Sequence, residues 1–198
     1  MGEIIKLPPP PGADMPLHRT IEERRSRRSY GSGGINLEQV SELLWASAGI
    51  TSSRGFRAAP SAGATYPIDI YLLAENVEGL EPAIYRYIEE SHALEPIKEG
   101  LFIEDLANAA LRQSALKDAS AVICLFGIYE RTTRRYGERG KRYVHIEIGH
   151  IGQNIYLVAE ALGLSTVAIG AFHDDRVSAL FGVEGVPLYL MPVGPRRE

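Results

Sequence analysis

The stretch RYVHIEIGHIGQNIYLVAEALGL, residues 142–164, constrains the fold more than any other part of the chain. Its aliphatic side chains recur at alternating spacings of three and four residues, which is typical of a helix packed along its whole length. The residues of this seam are Ile148, Ile151, Ile155, Val158 and Leu162. The sequence therefore predicts a long helix with one continuous buried face.

Apolar runs elsewhere in the chain predict the strands that such a helix would pack against. The predicted strands are residues 66–75, 120–129, 165–172 and 186–194, together with a hairpin formed by residues 83–88 and 93–97. Shorter helices are predicted at residues 37–48, 102–113 and 174–182. Strands, a hairpin and a long helix mixed in this way predict an α+β layered domain.

The stretch IIKLPPPPGADMPLH, residues 4–18, is predicted to form neither a regular helix nor a central strand, because prolines occupy positions 8–11. This composition favours an extended polyproline conformation. We therefore predict an arm at residues 1–19, lying over the surface or a partner, and a single domain at residues 20–198.

Two helix starts are indicated by capping signals. Thr20 and Glu23 form a T-x-x-E capping box, which predicts a helix that carries the arginines that follow. Asn36 and Gln39 repeat this logic before the next helix, which Gly49 ends.

Composition excludes several classes of protein. Hydrophobic residues make up 45% and charged residues 23%, as in a globular domain rather than a disordered chain. A net charge of −4 argues against a general nucleic-acid-binding protein. The single cysteine, Cys124, excludes a disulfide framework and is predicted to be buried in a strand. With no long uncharged apolar run and no signal-peptide pattern, we expect no membrane contact and a cytoplasmic location.

Two familiar site chemistries have weak support. HIEIGH brings His145, Glu147 and His150 close together, but on a helix the two histidines would lie about 140° apart, whereas zinc-binding helices use histidines four residues apart. Ser61 lies in PSAG rather than in G-x-S-x-G, and no histidine and aspartate are spaced to support a nucleophile. We therefore predict no metal site and no hydrolase serine.

Four arginines occupy five positions in RRSRRSYG, residues 24–31. They could form a solvated helix face, a nucleic-acid patch or a seat for a small phosphorylated ligand. Arg24 and Arg28, four residues apart on a helix, repel each other unless an anion lies between them. Ser26 adds a neutral donor of the kind that a phosphate or ribityl chain uses. The cluster alone leaves the solvated face and the anion site both open.

Three other stretches favour the ligand site. The small residues of APSAGATYP, residues 59–67, allow the backbone to approach a flat ligand closely. AIGAF, residues 168–172, ends a predicted strand where backbone N–H groups could face such a ligand. PVGPRR, residues 192–197, adds two arginines after the last strand.

These motifs resemble a known family. RRSRRSY, LLWASAGI, RAAPSAGATYPIDIYL, IEIGHIGQNIYLVAEALGLSTVAIGAF and LYLMPVG resemble, in this order, the nitroreductase family of FMN-dependent oxidoreductases, and are most similar to its SagB-type, azoline-dehydrogenase-like branch. The resemblance covers nearly the whole chain from residue 20. It implies a three-layer α+β fold, with a central, mostly antiparallel sheet flanked by helices, and an intertwined homodimer with FMN at the subunit interface.

The resemblance also implies which residues hold the FMN. The motif for the phosphate and the pyrimidine side of the flavin matches Arg24, Arg25, Ser26 and Arg28. The segment that a partner subunit lays against the isoalloxazine matches Pro60, Ser61, Ala62 and Gly63. A polar side chain at the flavin edge matches Gln113, the backbone near flavin N5 matches Ile169 and Gly170, and a C-terminal phosphate contact matches Arg196.

The implied activity is hydride transfer from NAD(P)H, through flavin N5, to a flat acceptor such as a nitroaromatic or a quinone. Two alternatives remain open: an FMN-dependent dehydrogenase of a peptide-like or azoline-type substrate, and a non-catalytic flavin-binding module. Azoline oxidases use a Lys-Tyr pair where this chain has Arg135 and Tyr136. Tyr136 is the candidate acid–base residue, whereas an arginine holds its proton too tightly to replace the lysine.

Overall fold

A computed structural model describes residues 2–197, which form nine strands, seven α-helices and one short 3-10 helix at Ala62–Ala64. The strands are β1 (Ile5–Lys6), β2 (Ile35–Asn36), β3 (Ile68–Ala74), β4 (Val77–Glu78), β5 (Ala83–Ile88), β6 (Ala93–Glu99), β7 (Ala121–Gly127), β8 (Leu164–Thr166) and β9 (Val186–Pro195). The helices are α1 (Leu17–Glu23), α2 (Leu37–Ala48), α3 (Ile103–Ala109), α4 (Ser114–Lys117), α5 (Tyr129–Tyr136), α6 (Arg139–Ala161) and α7 (Asp174–Phe181).

Seven of the strands form one sheet in the order β1-β6-β5-β3-β7-β9-β8. Every neighbouring pair in this sheet is antiparallel, and β3 aligns with β7 over its full length, with Tyr71 opposite Cys124. Strands β2 and β4 form a separate short parallel pair. The hairpin prediction is confirmed by β5 and β6, and Cys124 is buried as predicted.

Strands β3 and β7 carry buried apolar side chains on both faces of the sheet. Both faces therefore have to be shielded from water, and helices cover them. Ile70 and Leu72 pack on the side of α2 and α6, whereas Tyr71 and Leu73 pack on the side of α3, α4 and α7. The sheet is therefore the middle of three layers. The predicted α+β class, with a mostly antiparallel sheet between helices, is confirmed.

The long helix α6 confirms the strongest sequence signal. Ile148, Ile151 and Ile155 are buried against the sheet, and Val158 and Leu162 pack at the edge of the same core. The second capping signal is also confirmed at the start of α2. The Asn36 side chain accepts the backbone N–H of Gln39 at 2.8 Å, and the Gln39 side chain accepts that of Asn36 at 3.0 Å.

The predicted helix through the arginine cluster is wrong. Helix α1 begins after Pro16 and ends at Glu23, so the arginines follow the helix instead of lying on it. Arg24 has an extended ψ of 125°, and the backbone N–H of Arg27 is donated to the carbonyl of Thr166 at 2.9 Å. This tertiary contact replaces the helical hydrogen bonds that the capping box predicted.

The proline-rich arm lies along its own domain. β1 pairs with β6, Leu7 is 3% exposed, and the backbone N–H of Leu7 is donated to the carbonyl of His92 at 3.0 Å. The hydroxyl of Ser41 donates to the carbonyl of Pro8 at 2.6 Å. The division into residues 1–19 and 20–198 stays a prediction, and its outermost residues, 1 and 198, lie outside the described part of the chain.

Two predicted elements are shorter than expected. β8 ends at Thr166, after which only Ile169 pairs with β9, because the N–H of Ala168 is donated to the Tyr156 hydroxyl. Helix α3 ends at Ala109, before a left-handed turn at residues 111–112. Within residues 2–197, no helix combines the length and the apolar character needed to span a bilayer.

Candidate functional site

The segment Arg24–Arg28 is anchored on α6 by Tyr156. The hydroxyl groups of Ser26 and Tyr156 are 2.9 Å apart, and the Arg24 guanidinium lies over the Tyr156 ring, 5.1 Å from its centroid. The same Tyr156 hydroxyl accepts the backbone N–H of Ala168 at 2.8 Å. Tyr156 therefore joins the arginine segment to AIGAF, two stretches that are far apart in sequence.

Glu160, one turn further along α6, fixes two other arginines. Its carboxylate is buried and accepts hydrogen bonds from Arg27 and from Arg196, the latter at 2.7 Å. Arg196 also donates to the Glu160 carbonyl at 3.3 Å. The role of Arg196 as a phosphate ligand stays a prediction, and any such contact would have to be shared with Glu160.

The predicted arginines Arg24, Arg25 and Arg28 make no ion pair with a carboxylate in the part of the chain that the structure describes. Arg25 donates to the carbonyls of Glu22 and Arg24, both at 2.8 Å. Arg25, Ser26 and Arg28 are exposed and Arg24 is half-buried. Three guanidinium groups and a hydroxyl thus remain available for an anion at this surface.

Ile169, Gly170 and Gln113 converge beside this segment. Ile169 is held by a pair of hydrogen bonds to Leu190, at 2.9 and 3.0 Å, and Gly170 follows it at the surface. The Gln113 side chain donates to the carbonyl of Ala171 at 2.9 Å. The structure therefore brings together three predicted stretches that are 56 to 146 residues apart along the chain.

The Pro60–Gly63 segment contacts a different part of α6. Ser61 and Glu147 line one open groove together with Tyr143, and His150 Nδ1 lies 3.4 Å from the Pro60 carbonyl. Glu147 and Tyr156 are nine residues apart, which is about 13 Å along a helix axis. In one subunit, the predicted flavin-facing segment and the arginine segment thus occupy opposite halves of α6.

Tyr136 and Arg135 lie directly against this same segment. Arg135 donates to the carbonyl of Gly63 at 3.2 Å, and a Cβ added at Gly63 would come within 2.4 Å of the Tyr136 hydroxyl. Gly63 has a left-handed φ of 60°, so its place suits glycine for two reasons. Tyr136 also packs edge-on against Tyr143, with ring centroids 5.1 Å apart.

The histidines of HIEIGH are engaged separately. His145 Nε2 lies 2.6 Å from the Tyr129 hydroxyl, while His150 contacts Pro60. Glu147 is buried beneath the exposed surface that both histidines occupy. The residues within 2–197 contain no cluster of three or more candidate metal ligands.

Comparison with known proteins identifies the family. Residues 21–195 match the model described as the Nitroreductase family. The chain belongs to the nitroreductase family. A Methanocaldococcus jannaschii protein named as a nitroreductase is 43% identical over 198 residues, covering 100% of both chains.

One further sequence relative and one solved structure are also similar to this nitroreductase chain. The microcin B17-processing protein McbC of Escherichia coli is 30% identical over 133 residues, covering 63% of this chain and 48% of McbC, so the match spans about half of that relative. This likeness supports the predicted SagB-type branch. A solved structure described as a nitroreductase from Anabaena variabilis has a TM-score of 0.82 at 28% identity, covering 91% of this chain and 38% of the other.

Tyr156 and Glu160 belong to the candidate site, and no sequence motif indicated either of them. Both lie in residues 142–164, where the aliphatic repeat predicts a helix but does not distinguish one polar position from another. Glu160 is 2% exposed, yet in the sequence it looks like any polar residue near a helix end. The one available signal is the position of Glu160 in the last turn of a predicted helix. A carboxylate there is unfavourable near the negative end of the helix dipole unless cations neutralise it.

The residues present fit an FMN. Its phosphate needs charged and neutral donors, which Arg24, Arg25, Ser26 and Arg28 offer at one surface. Its flat ring needs a backbone without a bulky side chain, which Gly170 offers beside the Tyr189 ring. Arg196 Nε is also buried with no partner within residues 2–197, a donor left unsatisfied next to the arginine segment.

Proposed function

We propose that this nitroreductase-family chain is an FMN-dependent oxidoreductase that transfers hydride from NAD(P)H to a flat acceptor such as a nitroaromatic or a quinone. The observation that supports it best is the Tyr156 junction, which holds Arg24 and Ser26 beside Ala168 and the exposed Gly170. When bound, FMN supplies the redox chemistry, and the protein supplies binding, orientation and electrostatics.

Two sets of residues divide this work. Arg25, Ser26 and Arg28 are exposed and would bind the phosphate. Arg24 is half-buried against Tyr156, and a cation there would stabilise negative charge on the pyrimidine side of the ring. Fixing Arg27 on Glu160 holds the segment rigid, so the free arginines are placed before the ligand arrives.

The functional unit in this proposal is a homodimer. The Pro60–Gly63 segment lies about 13 Å along α6 from Tyr156, so the partner's copy would complete each site. The outer face of α6 suits such an interface, because Ile146 is 47% exposed and no atom lies within 4 Å of a Cβ added at Gly149.

Anaerobic stopped-flow spectroscopy on the FMN-loaded protein tests the activity. We expect NADH or NADPH to bleach the flavin spectrum, and a quinone or nitroaromatic added afterwards to restore it. Reduction without reoxidation by any such acceptor would contradict the proposed reaction and favour a flavin-binding module.

A second candidate function is dehydrogenation of a peptide-like substrate, and it is favoured by the position of Tyr136 against Gly63. Here Tyr136 would exchange a proton with the substrate beside the Pro60–Gly63 segment. Arg135 would not take part in proton transfer, because it keeps its proton throughout.

The Tyr136→Phe variant distinguishes the two reactions. We expect a loss of about 100-fold in the rate of a peptide dehydrogenation that uses the tyrosine as acid–base group, whereas reduction of quinones changes less than about threefold. Tyr143→Phe, which alters the ring that packs on Tyr136, serves as the matched control. Equal peptide dehydrogenation by wild type and Tyr136→Phe would remove the acid–base role.

A further inference from the structure

Tyr66, three residues after the Pro60–Gly63 segment, has a backbone conformation that its side chain disfavours. Its φ is 42°, and Gly63 and Ala64 lie in the same left-handed region, at 60° and 53°. For a residue other than glycine this region is strained, and the strain persists only where the surrounding structure enforces it. The contacts of Tyr66 therefore decide whether the end of this segment keeps its shape.

The side chain of Tyr66 is held by Arg57, in the loop that follows α2. The Arg57 guanidinium lies over the Tyr66 ring, 4.6 Å from its centroid, and the backbone N–H of Arg57 is donated to the Tyr66 hydroxyl at 3.3 Å. The same guanidinium donates to the carboxylate of Glu89, directly after β5, at 2.8 Å. The side chains of Arg57 and Glu89 are 15% and 9% exposed, so this ion pair is shielded from water. Arg57 thus connects the Tyr66 ring to the turn after β5.

The backbone of Tyr66 makes two further contacts. Its N–H is donated to Ser61 Oγ at 2.9 Å, which closes the segment on itself. Its carbonyl accepts a hydrogen bond from Arg131 of α5 at 3.2 Å, and the same guanidinium donates to both carboxylate oxygens of Asp69, at 2.6 and 3.0 Å. Tyr66 therefore joins three parts of the molecule: the predicted flavin-facing segment, the loop after α2, and helix α5.

The ring and the hydroxyl of Tyr66 are both engaged by Arg57, so Tyr66 acts on a ligand through the segment that it holds. We propose that Tyr66 is a positioning residue whose ring, stacked under Arg57, keeps the Pro60–Gly63 segment in the conformation that lies against the flavin of the partner subunit. The flavin part of this inference rests on the proposed function. The effect of the Arg57–Tyr66 stack on the segment does not depend on any ligand.

Carbon-13 NMR of alanine-labelled, flavin-free protein tests the stack directly. The Cα and Cβ shifts of Ala64 report its left-handed backbone. We expect Tyr66→Phe, which keeps the ring, to retain the wild-type shifts, and Tyr66→Asn to move them away from left-handed values. Asparagine itself tolerates the left-handed region, so a change in Tyr66→Asn reports the lost ring. Unchanged Ala64 shifts in Tyr66→Asn would overturn the proposal, whether or not the protein binds flavin.

FMN titrations of a double-substitution cycle test whether Tyr66 acts through Arg57. Because the segment would no longer be preorganised, we expect Tyr66→Asn to weaken FMN binding about tenfold, and Tyr66→Phe less than about threefold. Arg57→Lys, which keeps the charge but loses the planar stack, should resemble Tyr66→Asn. The double variant should be weakened no more than about 20-fold, since both changes remove one contact, whereas independent effects that multiply to about 100-fold would contradict the proposal.

Phe56→Asn is the matched control for Tyr66→Asn. It removes another ring that an arginine covers in the same loop, with the Arg54 guanidinium 4.7 Å from the ring centroid. Phe56 is 41% exposed, so we expect FMN affinity to change less than about twofold. Equal losses in Phe56→Asn and Tyr66→Asn would count against a specific role of Tyr66.

Mixed dimers test the action across subunits. A dimer of one Arg24→Ala chain and one Tyr66→Asn chain has one site with both defects and one site with neither, if Tyr66 acts on the partner's flavin. We therefore expect about half of the sites in mixed dimers to regain wild-type FMN affinity. Mixed dimers with only weak sites, or a monomeric wild type, would overturn the cross-subunit role. If wild type binds no FMN, the proposed function fails, while the Ala64 shifts still decide whether Tyr66 holds the segment.

Discussion

Replacing Glu160 by alanine is expected to destabilise the protein by about 3 kcal/mol. The Glu160 side chain is 1% exposed and bridges Arg27 and Arg196, which join the segment after α1 and the end of β9 to α6. Removing it leaves two partly buried guanidinium groups without their shared anion, and Arg196 Nε already lacks a partner within residues 2–197. Urea denaturation of the flavin-free protein measures this loss without a contribution from ligand binding.

A matched control for Glu160→Ala is Glu104→Ala, which removes an exposed ion pair with Lys117. Such pairs contribute little, so we expect less than about 0.5 kcal/mol there. Equal effects of the two substitutions would show that Glu160 does not organise the arginine segment.

Replacing Arg24 by alanine is expected to weaken FMN binding by about 10- to 100-fold. Arg24 stacks on Tyr156 and has no carboxylate partner within the described range, so its charge is available to the ligand. Charge-assisted hydrogen bonds in a partly buried site are the stronger kind, which sets the size of the effect. Titration of flavin-free protein with FMN, followed by flavin fluorescence, gives the dissociation constant.

Arg19→Ala is the control for Arg24→Ala, since it makes the same charge change five residues away. Arg19 is exposed and paired with Glu23 at 2.6 Å, so FMN affinity should change less than about twofold. Circular dichroism of both variants checks that the fold is intact. An FMN affinity in Arg24→Ala equal to that of wild type would contradict this role and favour a solvated surface at the arginine stretch.

Elements with long apolar patterns were predictable from the sequence, because their side chains meet one continuous core. The seam of α6 and the wholly apolar run of β7 follow this rule. The arginine helix was wrong because a local capping signal at Thr20 competed with tertiary contacts. The backbone N–H of Arg27 donates to the carbonyl of Thr166, and its guanidinium donates to Glu160. Both partners are far away in sequence, so no local pattern predicts these contacts.

The sequence predicted which segments form the candidate site, but not the contacts that hold these segments together. The resemblance named the Arg24–Arg28, Ile169–Gly170 and Gln113 stretches, and the structure brings them together. The residue that joins them, Tyr156, carries no signal of its own, because a tyrosine on a helix is usually a packing residue. Burial of Glu147 is equally invisible in sequence, since it depends on α2 and the loop that folds over it.

The visible spectrum of the purified protein, recorded with added FMN and then after anaerobic addition of NADH or NADPH, tests most directly whether this chain is a flavin-dependent oxidoreductase. We expect a protein-bound flavin spectrum that the nicotinamide bleaches. A colourless protein that binds no added FMN would contradict it.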